Sequence, residues 1–393
     1  RPSSALPTHP DDAFTSRGIY GARIKVGVVE ARQEAILDSD PAEPNPPDGF
    51  FRFGCRIWEE HEAFGAPGSN PVTYQYPDPI DCSSAACGSI CQGGIDPSEP
   101  SVCKNDACIS AHTTAVASRI ASNHECQGNP NCDAGPFHAA NVDFFVTNSF
   151  FGGGLGVTIN NLISAYAWLS DDHQVELVNE SYTVGRTEAF TYRSVFADWY
   201  ARYRNVTFVQ AAGNTDAFPI PEHGFPNHDR HAVQCDGYNT ICVGAYGAGA
   251  DTPGSLTQLQ LSPESRWGNP YVSQEREIER PHLVAEGFAG DYAESGVSNP
   301  NTWNTTFSGT SLAAPVITGL IALLREDCRN QGRTIESPAL TRAVLMTAAW
   351  RPFELPGPSC PTARVFTGSP PAYPTADRQL GGLLGWTQPS RAC

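Results

Sequence analysis

An α/β fold, a three-layer sandwich around a mainly parallel sheet with a cysteine-rich insertion, is what the sequence predicts. Two patterns predict it. Apolar, β-rich runs alternate with stretches of helical periodicity, and those runs are nearly continuous, as strands covered on both faces must be. A third observation adds chemistry to the fold. Several side chains able to react or hydrogen-bond stand where a strand ends or a helix begins, the edge at which sites gather in such sheets.

The elements follow in order. Residues 23–30, "RIKVGVVE", read as a buried strand, and 112–122, "HTTAVASRIAS", as a helix. A strand is expected at 141–148 and a helix at 157–170; a strand at 175–181, "VELVNES", and a helix around 189–204. Strands at 206–214 and 240–247 precede two helices near 309–326 and 337–349. Residues 40–108 break this rhythm, being rich in Pro, Gly, Ser and Cys without helical periodicity. They read as a disulfide-pinned surface insertion within one catalytic domain covering residues 1–393.

Composition narrows the classes. The net charge of −17 argues against nucleic acid or an anionic membrane as a partner. No apolar run approaches the roughly 18 residues that would span a bilayer. Thirteen cysteines indicate disulfides and an oxidising, extracellular compartment. Cys103 with Cys108, Cys126 with Cys132, and Cys235 with Cys242 each define a short loop that could close locally, and the odd total leaves one thiol over. The cluster "CSSAACGSIC" lacks the Cys-x-x-Cys spacing of structural zinc sites, so no metal is expected there. The start, "RPSSALPTHPDDAF", reads as a mature terminus exposed by processing, so a secretion signal and a propeptide are expected to have been removed.

Four positions supply complementary chemistry. Glu30 ends a strand, His112 opens a helix, Asn214 follows a strand in "AAGN", and Ser311 lies in "FSGTSLAAPV" where a turn becomes a helix. A helix start offers unpaired N–H groups and a positive dipole end, which suits a developing anion. Together these are an acid, a base, an anion-stabilising amide and a nucleophile.

The chain resembles the subtilases, the subtilisin-like serine proteases. Gly309 to Pro315 match their Gly-Thr-Ser-x-Ala-x-Pro motif in full. "HTTAVA" matches His-Gly-Thr-x-Val-Ala with Thr113 in place of Gly, and Ala211 to Asn214 match the oxyanion segment. "RPHLVAEG", residues 280–287, resembles "KPDLVAPG" with Glu286 in place of Pro. The helix "PALTRAVLMTAA" and "GGLLG" also fit, so the likeness runs from about residue 20 to 385, apart from 40–108. The chief departure is Glu30, which stands where subtilases carry Asp. Asp38 and Asp40 remain as alternatives, should their loop turn back toward His112. The sedolisins share the fold, but they place Glu where His112 lies and Asp where Asn214 lies.

The resemblance implies a secreted, monomeric endopeptidase acting on protein or peptide substrates. Its triad would be Ser311, His112 and Glu30, with Asn214 as oxyanion donor, and its catalysis needs no cofactor; structural calcium is expected by analogy alone. Substrate backbone would pair with Ser181, Tyr182 and Thr183 on one side and with the segment around Gly154 on the other, with Gly213 also expected to bind substrate. Where the family often has Leu and Gly, Tyr182 and Thr183 either intrude and narrow the primary pocket toward small or medium side chains, or point away. Two other readings stay open: a catalytically impaired protease fold kept for binding, and an acyl hydrolase or ligase that uses the same site on other substrates.

Overall fold

The computed structural model describes residues 12–30, 33–35, 51–53, 57, 59, 61–64, 74–75, 95–96, 99–103, 111–122, 139–148, 159–182, 192–214, 235, 237–248, 259–261, 265–266, 280–287, 292–293, 303–304 and 308–349. Eight strands form the central sheet: β1 (Lys25–Glu30), β2 (Tyr74–Gln75), β3 (Asp143–Asn148), β4 (Leu177–Glu180), β5 (Thr207–Ala211), β6 (Ile241–Ala248), β7 (Leu259–Leu261) and β8 (Leu283–Glu286). Their order is β7–β6–β5–β4–β1–β3–β2, with β8 also pairing β6. Every pairing is parallel except β6 with β7. Among the described residues, five helices of nine or more residues flank the sheet: α1 (Ala111–Ala121), α2 (Ile159–Ala167), α3 (Tyr192–Tyr203), α4 (Thr310–Asn330) and α5 (Pro338–Ala348).

Strand alternation builds the layers. Successive side chains of a strand point to opposite faces. Val26, Val28, Phe144, Val146, Leu177 and Val209 therefore pack in one core with α1 and α4, around Val116, Ile120, Val316 and Leu320. Val29, Phe145, Val178 and Phe208 face the other way and pack with Leu162 and Tyr166 of α2 and Ala197 and Tyr200 of α3. The result is the expected α/β/α sandwich.

Most of the segment read as a surface insertion lies outside the described residues, but a few of its side chains enter the core. Ile57, Ala63 and Phe64 are buried in the main core, and Tyr74 stacks on Phe144 with ring centroids 5.8 Å apart. These side chains bury apolar area against the sheet, so their backbone is drawn in with them, and β2 joins the sheet beside β3. The Cys235–Cys242 disulfide closes a short loop as expected, and Cys328 within α4 is also disulfide-bonded. Cys108, Cys126 and Cys132 lie outside the described residues. No helix among the described residues is long and apolar enough to cross a membrane.

Helix α4 runs through the inner layer, and polar contacts hold its carboxyl end. Glu326 Oε2 accepts the backbone N–H groups of Tyr20, Gly21 and Ala22 at 2.8, 2.6 and 3.0 Å. Arg17 forks onto Asp327 at 2.7 and 3.0 Å. Arg325 donates to the Glu176 carbonyl at 2.8 Å and to Thr207 Oγ1 at 2.6 Å. Burial lowers the Arg325 pKa to about 10, so it is still charged at neutral pH. Midway along α4, a Cβ on Gly319 would lie 2.7 Å from the Ile120 carbonyl oxygen, so only glycine lets α1 and α4 come this close.

Two predictions follow from this packing. Gly319→Ala destabilises the protein by about 2 kcal/mol despite alanine's better helix propensity, because the added methyl meets backbone that is not free to yield. Denaturant titration checks it, and an unchanged midpoint refutes it. His282 Nδ1 accepts the Cys242 N–H at 2.9 Å, and burial, with the Arg280 and Arg342 cations, holds its pKa well below the ordinary 6.5. Its folded form therefore binds fewer protons than its unfolded form below pH 6.5. This group's contribution to stability should fall there by about 1.4 kcal/mol per pH unit, until the folded pKa is reached. Unfolding curves against pH for wild type and His282→Gln, which keeps an acceptor, should differ by that slope.

Candidate active site

The carboxyl ends of β1, β4 and β5 converge on the first turns of α1 and α4. Glu30, the last residue of β1, shares a face with Val26 and Val28 by strand alternation and so points toward α1. Its Oε2 lies 2.9 Å from His112 Nδ1, and both residues are buried. The longer glutamate thus reaches the imidazole from the position where an aspartate was the usual expectation. When Nδ1 carries the proton donated to Oε2, Nε2 is the ring's basic nitrogen. Glu30 Oε1 is buried and has no hydrogen-bond partner among the described residues. Asp38 and Asp40 lie outside the described residues.

Ser311 sits in the first turn of α4, 5% exposed. The turn before it requires Gly309, which has φ 148° and whose Cβ would stand 2.6 Å from Asn214 Nδ2. Asn214, just past β5, is oriented by Thr310. Its Oδ1 accepts the Thr310 N–H at 2.9 Å and the Thr310 hydroxyl at 3.0 Å. With Oδ1 so engaged, Nδ2 is left as the donor of this amide. Leu312 packs with Ala115, so the starts of the helices carrying Ser311 and His112 lie side by side.

Ser181 lies against the same turn. Its hydroxyl donates to the Ser311 carbonyl at 2.8 Å and accepts Asn179 Nδ2 at 3.0 Å. Gly213 lies against this turn too: its N–H donates to Thr310 Oγ1 at 3.0 Å and its carbonyl accepts Arg266 N–H at 2.9 Å. Tyr182 takes the second of its two readings, the side chain that points away into the core. It is 3% exposed, its ring lies in the core with α2 and α3, and its hydroxyl donates to Glu180 at 3.1 Å. Thr183 and Gly154 lie outside the described residues.

Three polar residues take part here to which the sequence reading assigns no role: Thr310, Asn179 and Glu180. A readable signal existed for the last. A glutamate inside an otherwise apolar strand must find donors or carry the desolvation cost of an unpaired charge. Among the described residues no group of three or more His, Cys, Asp and Glu side chains is placed to hold a metal ion, so no calcium position is assigned.

Comparison with known proteins agrees with this fold. The peptidase S8, subtilase family, model matches residues 97–382, well over half of the chain, with Glu30 preceding the matched span. A search of curated proteins finds no match. Among solved structures, the patellamide maturation protease PatA aligns at 17% identity over 93% of this chain and 95% of its own, with a TM-score of 0.52. The PatG macrocyclase in complex with peptide aligns at 17% identity over 98% and 99%, with a TM-score of 0.51. Sphericase aligns at 16% identity over 89% and 91%, with a TM-score of 0.50. At such identities these structures speak to the fold, whereas the family model speaks to the sequence itself. The chain belongs to the subtilase family of serine endopeptidases.

Proposed function

We propose that the chain is a secreted endopeptidase that hydrolyses peptide bonds through an acyl-enzyme formed on Ser311. The buried Glu30–His112 contact at 2.9 Å carries this reading, because it is what an imidazole needs to act as a base of fixed tautomer. Ser311 Oγ attacks the scissile carbonyl as its proton passes to His112 Nε2. The carbonyl oxygen becomes an anion between Asn214 Nδ2 and the Ser311 backbone N–H. As the C–N bond breaks, His112 returns the proton to the leaving amine. Water, deprotonated by the same imidazole, then releases the acid and restores Ser311. Glu30 holds Nδ1–H throughout and stabilises the imidazolium. Base, acid and anion stabiliser all come from the chain, so this chemistry calls for no cofactor. The 13 cysteines and the closed Cys235–Cys242 loop support an oxidising, extracellular setting.

Turnover of casein and a peptide panel tests the assignment. Ser311→Ala should lower kcat by about 10⁶, Glu30→Ala by about 10⁴ and Asn214→Ala by about 10² to 10³. Glu30→Asp keeps the charge but withdraws it by one methylene, and should cost about 10². If Glu30→Ala cleaves almost normally, another carboxylate orients His112. If wild type neither cleaves nor reacts with a fluorophosphonate, the fold serves binding and the proposal fails.

A further inference from the structure

Glu180 closes β4, and the mechanism above makes no use of it. It is fully buried, in a layer that is otherwise largely apolar. Five donors meet it. Tyr166 OH and Tyr182 OH reach Oε1 at 2.5 and 3.1 Å. Arg193 Nε, Arg193 Nη2 and Gln210 Nε2 reach Oε2 at 3.2, 3.1 and 2.5 Å. These donors come from α2, α3, β5 and the segment that follows β4 itself. The Arg193 guanidinium also lies over the Tyr182 ring, 4.3 Å from its centroid. Burial beside the carboxylate raises the pKa of both tyrosines, so both remain protonated donors.

The other face of this short segment is fastened to the nucleophile helix. Thr318 Oγ1 lies 3.0 Å from Asn179 Oδ1, Asn179 Nδ2 donates to Ser181 Oγ, and Ser181 donates to the Ser311 carbonyl. The register of β4 with β1 and β5 ends at Glu180. Asn179 to Tyr182 are therefore gripped from both faces at the point where the chain leaves the sheet beside Ser311. A backbone fixed in advance receives an extended peptide with less ordering cost than a mobile one.

We propose that Glu180 is a positioning residue for substrate, fixing from the helix layer the Ser181–Tyr182 backbone along which an extended peptide lies as it enters the site. The inference rests on the reading of Ser311 as nucleophile, and it identifies the recognised chemistry as peptide main chain. Because Glu180 meets the peptide only through this backbone, its loss should weaken peptide binding while leaving the nucleophile's own reactivity in place.

Two variants and two readouts test it. Glu180→Gln removes the charge, and Tyr166→Phe removes one donor while keeping the ring. Affinity for a fluorescein-labelled casein peptide is measured by anisotropy in the Ser311→Ala background. Fluorophosphonate labelling is measured with Ser311 intact. Affinity should fall about tenfold in Glu180→Gln and about threefold in Tyr166→Phe, with labelling changed less than about twofold. If Glu180→Gln does not fold, Tyr166→Phe decides the matter. Unchanged affinity with a lowered Tm overturns the proposal, since the cluster then serves stability alone. Labelling that falls in parallel with affinity also overturns it, since the cluster then supports the nucleophile. A wild-type chain that is not labelled refutes the catalytic reading and leaves the affinity comparison to judge Glu180.

Discussion

Helix α4 is buried from Thr310 to Cys328, and that burial is the constraint on which the rest depends. A helix submerged over this length brings polar side chains with it, and each must find a partner in the protein because water is excluded. The partners come from across the chain. Asn214 answers Thr310, Asn179 answers Thr318, Thr207 and Glu176 answer Arg325, and the segment from Arg17 to Ala22 answers Glu326 and Asp327. Satisfying the helix therefore fixes its rotation and its position along its axis together. Ser311, in its first turn, inherits that placement.

Two departures from the family pattern look isolated in the sequence and have partners in space. Glu30 replaces the shorter acid and still reaches His112. Glu286 replaces a proline, and on the helix that carries His112 the buried Arg119 donates through Nη2 to its carbonyl at 3.1 Å and its carboxylate at 3.3 Å. Arg119 lies two turns beyond His112 on α1. The pair ties that helix to the end of β8, and β8 in turn meets the turn before Ser311 through the bond from Gly309 N–H to the Gly287 carbonyl, 2.7 Å long. Base and nucleophile are thus linked by a route that does not pass through the triad.

The sequence made most of the sheet legible because buried parallel strands are continuous apolar runs, as in "VGVV" and "TFVQAA". It did not reveal β2, β7 or β8, since runs of two to four residues carry too little periodicity, and Tyr74 joins the sheet through contacts with Phe144 that lie far apart in sequence. Ser311, His112 and Asn214 were legible because tight turns and helix starts demand particular residues locally. Tyr182 was open between two readings in the sequence, and its parity decides between them. Two residues after Glu180 in an extended chain, it lies on the same side as that carboxylate, and a buried carboxylate needs the hydroxyl.

Buried charge pairs add little net stability over well-packed apolar groups, because desolvation offsets most of the attraction. Arg193 with Glu180, buried on both sides, is then better understood by what it holds in place than by how strongly it holds it; so are Arg325 with Glu176 and Arg119 with Glu286, in each of which only the arginine is buried. Two of them do so near the site: Arg193 beside the end of β4, and Arg119 on the helix of His112. The Glu30–His112 pair obeys the same electrostatics with one difference. Its positive member has to appear when Ser311 loses its proton and vanish when the leaving group gains it. A buried carboxylate with one oxygen already on Nδ1–H, and the other without a donor among the described residues, is poorly solvated before reaction, so the imidazolium that forms beside it stabilises it. The polar scaffold around α4 keeps its charges fixed, and that rigidity lets the one pair whose charge must change do so without the site reorganising.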